Sequence, residues 1–344
     1  MPVAPPVTSA AFLDAIAGLT YDKEMNKFIV TLAAALAVAT NVHAQSWPSK
    51  PVRVIVNVAP GGVADVTARV LGARLTETLG QAFVVENRAG GDGYIGFEAV
   101  RSADPDGYTL SYSPGSSMMI APHIVKRADL NPVTALTPVA ATGAVSLYVL
   151  LNPNVPAKNF DEFLAYARAN PGKLNYGTPG NGTSPHIAGE VFNREAKVKL
   201  NHIPYKGAGP ALQDLLGGQI ELAFDPGVGV ASAKGGKLRM VAVAGPTRHA
   251  DFPDVPTLDE KGIRGVDGGP HFGFYAPAAT PRDIVLRMNR EVLKLMQEPA
   301  VLERFKALAV NLAKPMSPEE FGAYVKSEYE RYGKLLPALN IAAQ

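Results

Sequence analysis

Four short stretches rich in glycine and hydroxyl residues hold most of the chain's candidate chemistry: APGGVAD at 59–65, SPGSSM at 113–118, TPGNGTSPH at 178–186 and YKGAGP at 205–210. They supply backbone amides that glycine leaves accessible, the hydroxyls of Ser113, Ser116, Ser117, Thr178, Thr183 and Ser184, and little positive charge beyond Lys206. Amides and hydroxyls at helix starts suit a carboxylate or another small anion, held by dipoles rather than through a salt bridge.

Other chemistries fit less well. Ser184, His186, Asp65 and Asp225 contain the ingredients of a nucleophile, a base and an orienting acid, which makes a small-molecule hydrolase the alternative reading. No G-x-S-x-G elbow occurs, however, and Ser184 and His186 lie too close along one helical turn to form a relay by themselves. RAGGDGYIG at 88–96 places Gly91, Gly93 and Gly96 at the spacing of a dinucleotide-binding turn. Such a site also needs an acidic residue about 20 positions on, at the end of the next strand. Here that strand ends TLSYSPGSS, without a carboxylate at Tyr112 or Ser113, so Gly90, Gly91 and Gly93 read as turn glycines. His123, His186, His202, His249 and His271 show no paired spacing and no cysteine accompanies them, so neither metal nor cofactor is expected.

Composition narrows the class further. The 344 residues are 47% hydrophobic and 19% charged, enough for two ordinary domains, and the net charge of +2 forms no basic footprint for nucleic acid. The absence of cysteine excludes disulfides, thiolate metal sites and a cysteine nucleophile. MNKFIVTLAAALAVATNVHAQ at 25–45 has the layout of a secretory signal cleaved after Ala44, because its apolar run of about a dozen residues is shorter than the roughly 20 that span a bilayer. A signal normally starts at the initiator, so residues 1–24 are expected to reflect a start assigned too far upstream, with 25–44 removed on export to the periplasm.

The four stretches must be positioned by the elements around them. β-branched residues at 52–58 predict a buried strand, and Val66, Val70, Leu71, Leu75 and Leu79 recur at helical spacing after Pro60-Gly61-Gly62. The same order of strand, glycine turn and helix repeats from Phe83 and from Tyr108, which predicts a mainly parallel sheet with helices on both faces. An apolar strand at 145–151 opens a second set, with strands at 174–176, 202–205, 219–224 and 238–243, and Asn159 with Glu162 forms a capping pair. A strand at 271–275, Thr280-Pro281 as a helix start, and Ser317-Pro318 with Glu320 complete the chain. The pattern predicts an α/β protein with two lobes, 45–144 plus 271–344 and 145–270, around a ligand cleft, because open α/β sheets bind at the carboxyl ends of their strands.

Taken in order, WPSKPVRVIV with PGGVAD, VVENRAGGDGYIG, DPDGYTL, LNYGTPGNGTSPHIAGEVF, IPYKGAGPALQDLLGGQIELAFD, GKLRMVAVAG and DVPTLDEKG resemble the Bug-type periplasmic solute receptors of tripartite tricarboxylate transporters. The resemblance covers 47–339 and implies the type II periplasmic-binding-protein fold. It also implies a monomeric receptor that performs no reaction, closes on a small organic anion and hands it to large and small membrane subunits. By the same resemblance a ligand carboxylate is held by Gly61, Gly62, Val63 and Asp65, by Ser113, Ser116 and Ser117, and by Thr178, Gly182, Thr183 and His186, with Lys206 and Asp225 at neighbouring loop mouths. Beside an anion, Asp65 is expected to cap the following helix or to organise its loop through amides or water rather than touch the carboxylate. The family's ligands include aliphatic di- and tricarboxylates, acidic amino acids, nicotinate-like compounds and aromatic dicarboxylates such as terephthalate. VNVAPGG departs from the family's usual pattern, which has an aromatic or a further proline before the glycines.

Overall fold

The structure is a computed structural model that describes residues 47–90, 93–124 and 131–341; the expected upstream start, the signal segment and Gly91 lie outside them. Strands β1 (Val52–Val56), β2 (Phe83–Asn87), β3 (Thr109–Ser113), β4 (Leu136–Val145), β5 (Leu147–Leu151), β6 (Asn175–Thr178), β7 (Asn201–Pro204), β8 (Leu222–Asp225), β9 (Arg239–Ala244), β10 (Phe272–Pro277) and β11 (Val310–Leu312) form two sheets. The first runs β11-β4-β10-β3-β1-β2 and the second β7-β6-β8-β5-β9.

Both sheets are mixed, which corrects the expectation of a mainly parallel one. β1 pairs parallel with β2 and β3, and β6 with β7 and β8. β10 runs antiparallel to β3 and β4, β5 antiparallel to β8 and β9, and β11 antiparallel to β4. The reason lies in the route of the chain. β5 and β10 are the strands by which the chain enters each sheet from the other one, so they start where the neighbouring strands end and must run the opposite way.

Two strands escaped the sequence pattern. β4 carries Pro138, Gly143 and three alanines, which blur any alternation, and it is a strand because β10 and β11 supply partners on both sides. β11 is only three residues long. Elsewhere the periodicities hold. β5 is buried along its whole length because Leu147, Val149 and Leu151 face the main core while Tyr148 and Leu150 face a second core against Leu215, Ile220 and Leu238. Helix Val63–Leu79 buries Leu71 and Leu75 and ends at Gly80 in the left-handed region. Asn159 accepts from the Glu162 amide, and Ser317 with Glu320 forms a full capping box. The helix expected to open at Thr280-Pro281 begins at Arg282 with Pro281 as its cap, and the Thr280 hydroxyl caps nothing.

The two passages between the sheets touch. Gly268, on the return path, lies so close to Val145 that a Cβ there would stand 1.6 Å from the Val145 carbonyl oxygen. Gly268→Ala is therefore expected to destabilise the protein by about 2–3 kcal/mol, since backbone on both passages must shift to admit one methyl group. A urea melt of the variant that overlays the parent would contradict this packing.

Candidate functional site

The loop after β1 is built around Asp65. Its carboxylate accepts the Gly61 amide at 2.9 Å and lies 2.9 Å from the Arg69 guanidinium, one turn along the same helix. Burial pushes the carboxyl up, but the Gly61 amide and Arg69 outweigh it and hold it below the usual carboxylate range. Arg69 also donates to Asn87, whose own amide donates to the Val58 carbonyl, so both ends of the loop are tied down. Gly61 has φ +84° and Gly62 is the N-cap residue, which leaves the amides of Val63, Ala64 and Asp65 without an intrahelical carbonyl, the Val66 amide being the first to find one. Asp65 is thus 4% exposed and occupied with its own loop, as expected of it.

The loop after β3 divides its hydroxyls. Ser113 is buried and bonded to Ser111 at 2.6 Å within the sheet. Ser116 and Ser117 stand in the short helix Gly115–Met119, and among the described residues their hydroxyls have no hydrogen-bond partner. Gly115 packs directly on the Pro270 and His271 backbone.

In the second sheet, the loop after β6 is held from below. The Thr178 hydroxyl meets His202 Nε2 at 2.6 Å, and Thr183 donates to the Gly180 carbonyl at 2.7 Å. The Gly182 amide donates to His186 Nδ1 at 3.0 Å, so His186 keeps that nitrogen unprotonated. The His186 ring stacks on His202 with centroids 4.0 Å apart, and Tyr176 lies 5.1 Å from His202 and donates to Glu190 at 2.5 Å. Burial pulls His186 below its ordinary range, and burial together with the neighbouring His186 pulls His202 down to about 3. Asp225 accepts the Gly227 and Gly229 amides; burial pushes it up to about 6. Lys206 is exposed, and among the described residues its ammonium group has no ion-pair partner.

The loops of the two sheets meet. A Cβ on Gly207 would stand 4.0 Å from the Ala59 Cβ, and one on Gly182 would overlap the Ile124 side chain. These contacts join loops of the first sheet to loops of the second, and the polar groups on the loops fall into two roles. Asp65, Ser113, Thr178, His186 and Asp225 spend their polar groups on shaping the loops, whereas Ser116, Ser117, Lys206 and the first-turn amides do not. The hydrolase relay is not assembled: the Ser184 hydroxyl abuts Gly269, and the His186 nitrogen serves Gly182.

One residue was missed. Asn57, directly after β1, is 1% exposed, and neither Nδ2 nor Oδ1 has a hydrogen-bond partner among the described residues. The available signal was an asparagine in an otherwise apolar run, VIVNV. Among the described residues no cluster of histidine and carboxylate groups suits a metal ion, and no helix is long and apolar enough to cross a membrane.

Comparison with known proteins gives a consistent picture. Residues 67–341 match the model of the tripartite tricarboxylate transporter family receptor. Protein BugT of Bordetella pertussis (strain Tohama I) is 34% identical over 304 residues, 87% of this chain and 92% of BugT. Rpa4515 of R. palustris, solved with adipate, superimposes with a TM-score of 0.81 at 29% identity, covering 87% of this chain and all of the other. The periplasmic binding protein BugD superimposes at 0.79 with 31% identity, again over 87% of this chain and all of BugD. The two sheets are the two lobes of a type II periplasmic-binding-protein fold.

The histidine stack makes a pH prediction. A histidine held at about 3 in the folded state, against about 6.5 unfolded, contributes stability that is fully present above pH 6.5 and is lost as pH falls toward 3. Asp225 acts oppositely between about 6 and its ordinary 3.8, gaining stability as pH falls. The contribution of His202 is therefore isolated by comparison. Between pH 7 and pH 5 the wild type is expected to lose several degrees more in Tm than His202→Asn, and equal losses would remove His202 from the account.

Proposed function

The chain belongs to the tripartite tricarboxylate transporter family of receptors, and on that premise we propose that it captures a small organic carboxylate between its lobes and delivers it to the large and small membrane subunits of such a transporter. It is a solute receptor, not an enzyme. The observation that supports the ligand class is the contact of Gly207 with Ala59, which joins the loop that precedes the Val63 helix start to the loop that carries the exposed Lys206; the hydroxyls of Ser116 and Ser117, without a hydrogen-bond partner among the described residues, are read as part of the same site.

In this reading the amides after Gly61 and Gly62 and the two serine hydroxyls take one carboxylate from the first lobe, while Lys206 and the Thr183 turn approach it from the second. Asp65, Ser113, Thr178, Gly182, His186 and Asp225 hold the loops in shape. Aliphatic di- and tricarboxylates and aromatic dicarboxylates such as terephthalate are the candidates, and the adipate seen with Rpa4515 belongs to the first group. Lobes 45–144 plus 271–344 and 145–270 close as a monomer in the periplasm, after removal of a signal ending at Ala44. The ligand adds contacts only the closed state can make, which shifts the population toward it.

A thermal-unfolding panel of carboxylates, with acidic amino acids and nucleotides as controls, tests the reading. At a concentration about 100-fold above Kd, about 2.7 kcal/mol of stabilisation is expected, a rise of several degrees for one carboxylate group and none for nucleotides. Stabilisation by nucleotides alone would overturn it. Lys206→Ala is expected to weaken binding about tenfold with Tm of the free protein unchanged, because among the described residues no group pairs with its ammonium. Small-angle scattering should show compaction on saturation with the stabilising acid.

A further inference from the structure

The glycines of RAGGDGYIG are not explained by anion capture, and their surroundings point to Asn57. Gly96 packs against this residue so tightly that a Cβ would stand 2.5 Å from the Asn57 Cβ and 2.8 Å from its Cα. Gly93, with φ +94°, caps helix Tyr94–Arg101; a Cβ there would stand 2.9 Å from Asn57 Nδ2 and 3.2 Å from Ser117 Oγ. The missing side chains thus bring the helix start down onto the end of β1 and leave the carboxamide beside Ser117, whose hydroxyl has no hydrogen-bond partner among the described residues. Within that packing Asn57 is 1% exposed and both its amide nitrogen and its oxygen go unpartnered among the described residues. A buried carboxamide with neither group satisfied is costly to keep, and an apolar side chain of the same size would fill the place without that cost.

We propose that Asn57 determines specificity by reading a ligand group that both accepts and donates a hydrogen bond, a hydroxyl or amide borne by the organic acid beside its carboxylate. Nδ2 donates to an oxygen of the ligand, whereas Oδ1 requires a ligand O–H or N–H, which an ionised dicarboxylate lacks. The plain acid leaves Oδ1 unpaired on closure; the substituted acid pairs it. Discrimination of this kind exceeds what shape alone achieves, because the penalty falls on a polar group the site has already buried. The proposal rests on the carboxylate-receptor reading and narrows it.

The test uses matched pairs measured by calorimetry: succinate with malate, adipate with 2-hydroxyadipate, and terephthalate with its monoamide. For the pair that binds, the wild type is expected to favour the substituted acid at least about tenfold. In Asn57→Leu and Asn57→Ala that preference should fall to within about twofold while the plain acid still binds, and free Asn57→Leu should melt no lower than the wild type. A wild type without preference, or a preference that survives both substitutions, overturns the proposal but leaves the receptor reading intact. A lower Tm in Asn57→Leu with preference unchanged would make Asn57 a structural residue and overturn it equally. Failure of every acid to bind the wild type would overturn the receptor reading and this inference together.

Discussion

A single residue, Ser146, separates the end of β4 from the start of β5, and the rest of the architecture depends on that short passage. A chain that leaves one sheet and enters the other within one residue must begin its new strand at the end of the sheet that faces the first, where β8 finishes, and β5 therefore runs against β8 and β9. The return passage does the same to β10. With both entering strands reversed, the remaining parallel strands β1, β3, β6 and β8 point their carboxyl ends at the same seam, and their loops gather there. Gly268 against the Val145 carbonyl keeps the two passages in contact.

On these loops two carboxylates and a neutral histidine shape the backbone, and other polar groups are left without that duty. Asp65 is engaged by Gly61 and Arg69, His186 by Gly182, and Asp225 by Gly227 and Gly229. Each polar side chain fixes an amide in a turn that glycine alone would leave floppy, and is thereby unavailable to a ligand. There remain a set of dipoles, two serine hydroxyls and one lysine. In the proposed reading such a set takes an anion without a strong buried ion pair, which suits a receptor that must release its ligand again.

Asn57 is the exception to this arrangement. Asp65, Ser113, Thr178, His186 and Asp225 each have a partner close at hand, whereas Asn57 combines full burial with two atoms unpaired among the described residues and with two glycines that make room around it. The glycine spacing that resembles a nucleotide fingerprint is accounted for by close approach of helix Tyr94–Arg101 to the end of β1. The same residue type in the same spacing serves a different purpose because β3 leads into a serine turn and not to a carboxylate.

Legible in the order of residues were the grammar of strand, glycine turn and helix, the capping at Asn159 and Ser317, the loops that carry the polar groups and the family to which they belong. These features are local: periodicity, turn chemistry and caps depend on residues within one or two turns of each other. The strand direction in each sheet, the identity of β4 and β11 as strands, the stacking of His186 on His202 and the orphaned carboxamide of Asn57 came from tertiary contacts instead. Each depends on a partner far away in sequence. β4 lacks a pattern of its own and becomes a strand because β10 and β11 flank it, and Asn57 becomes a buried, unpaired group only once the helix that begins at Tyr94 closes over it.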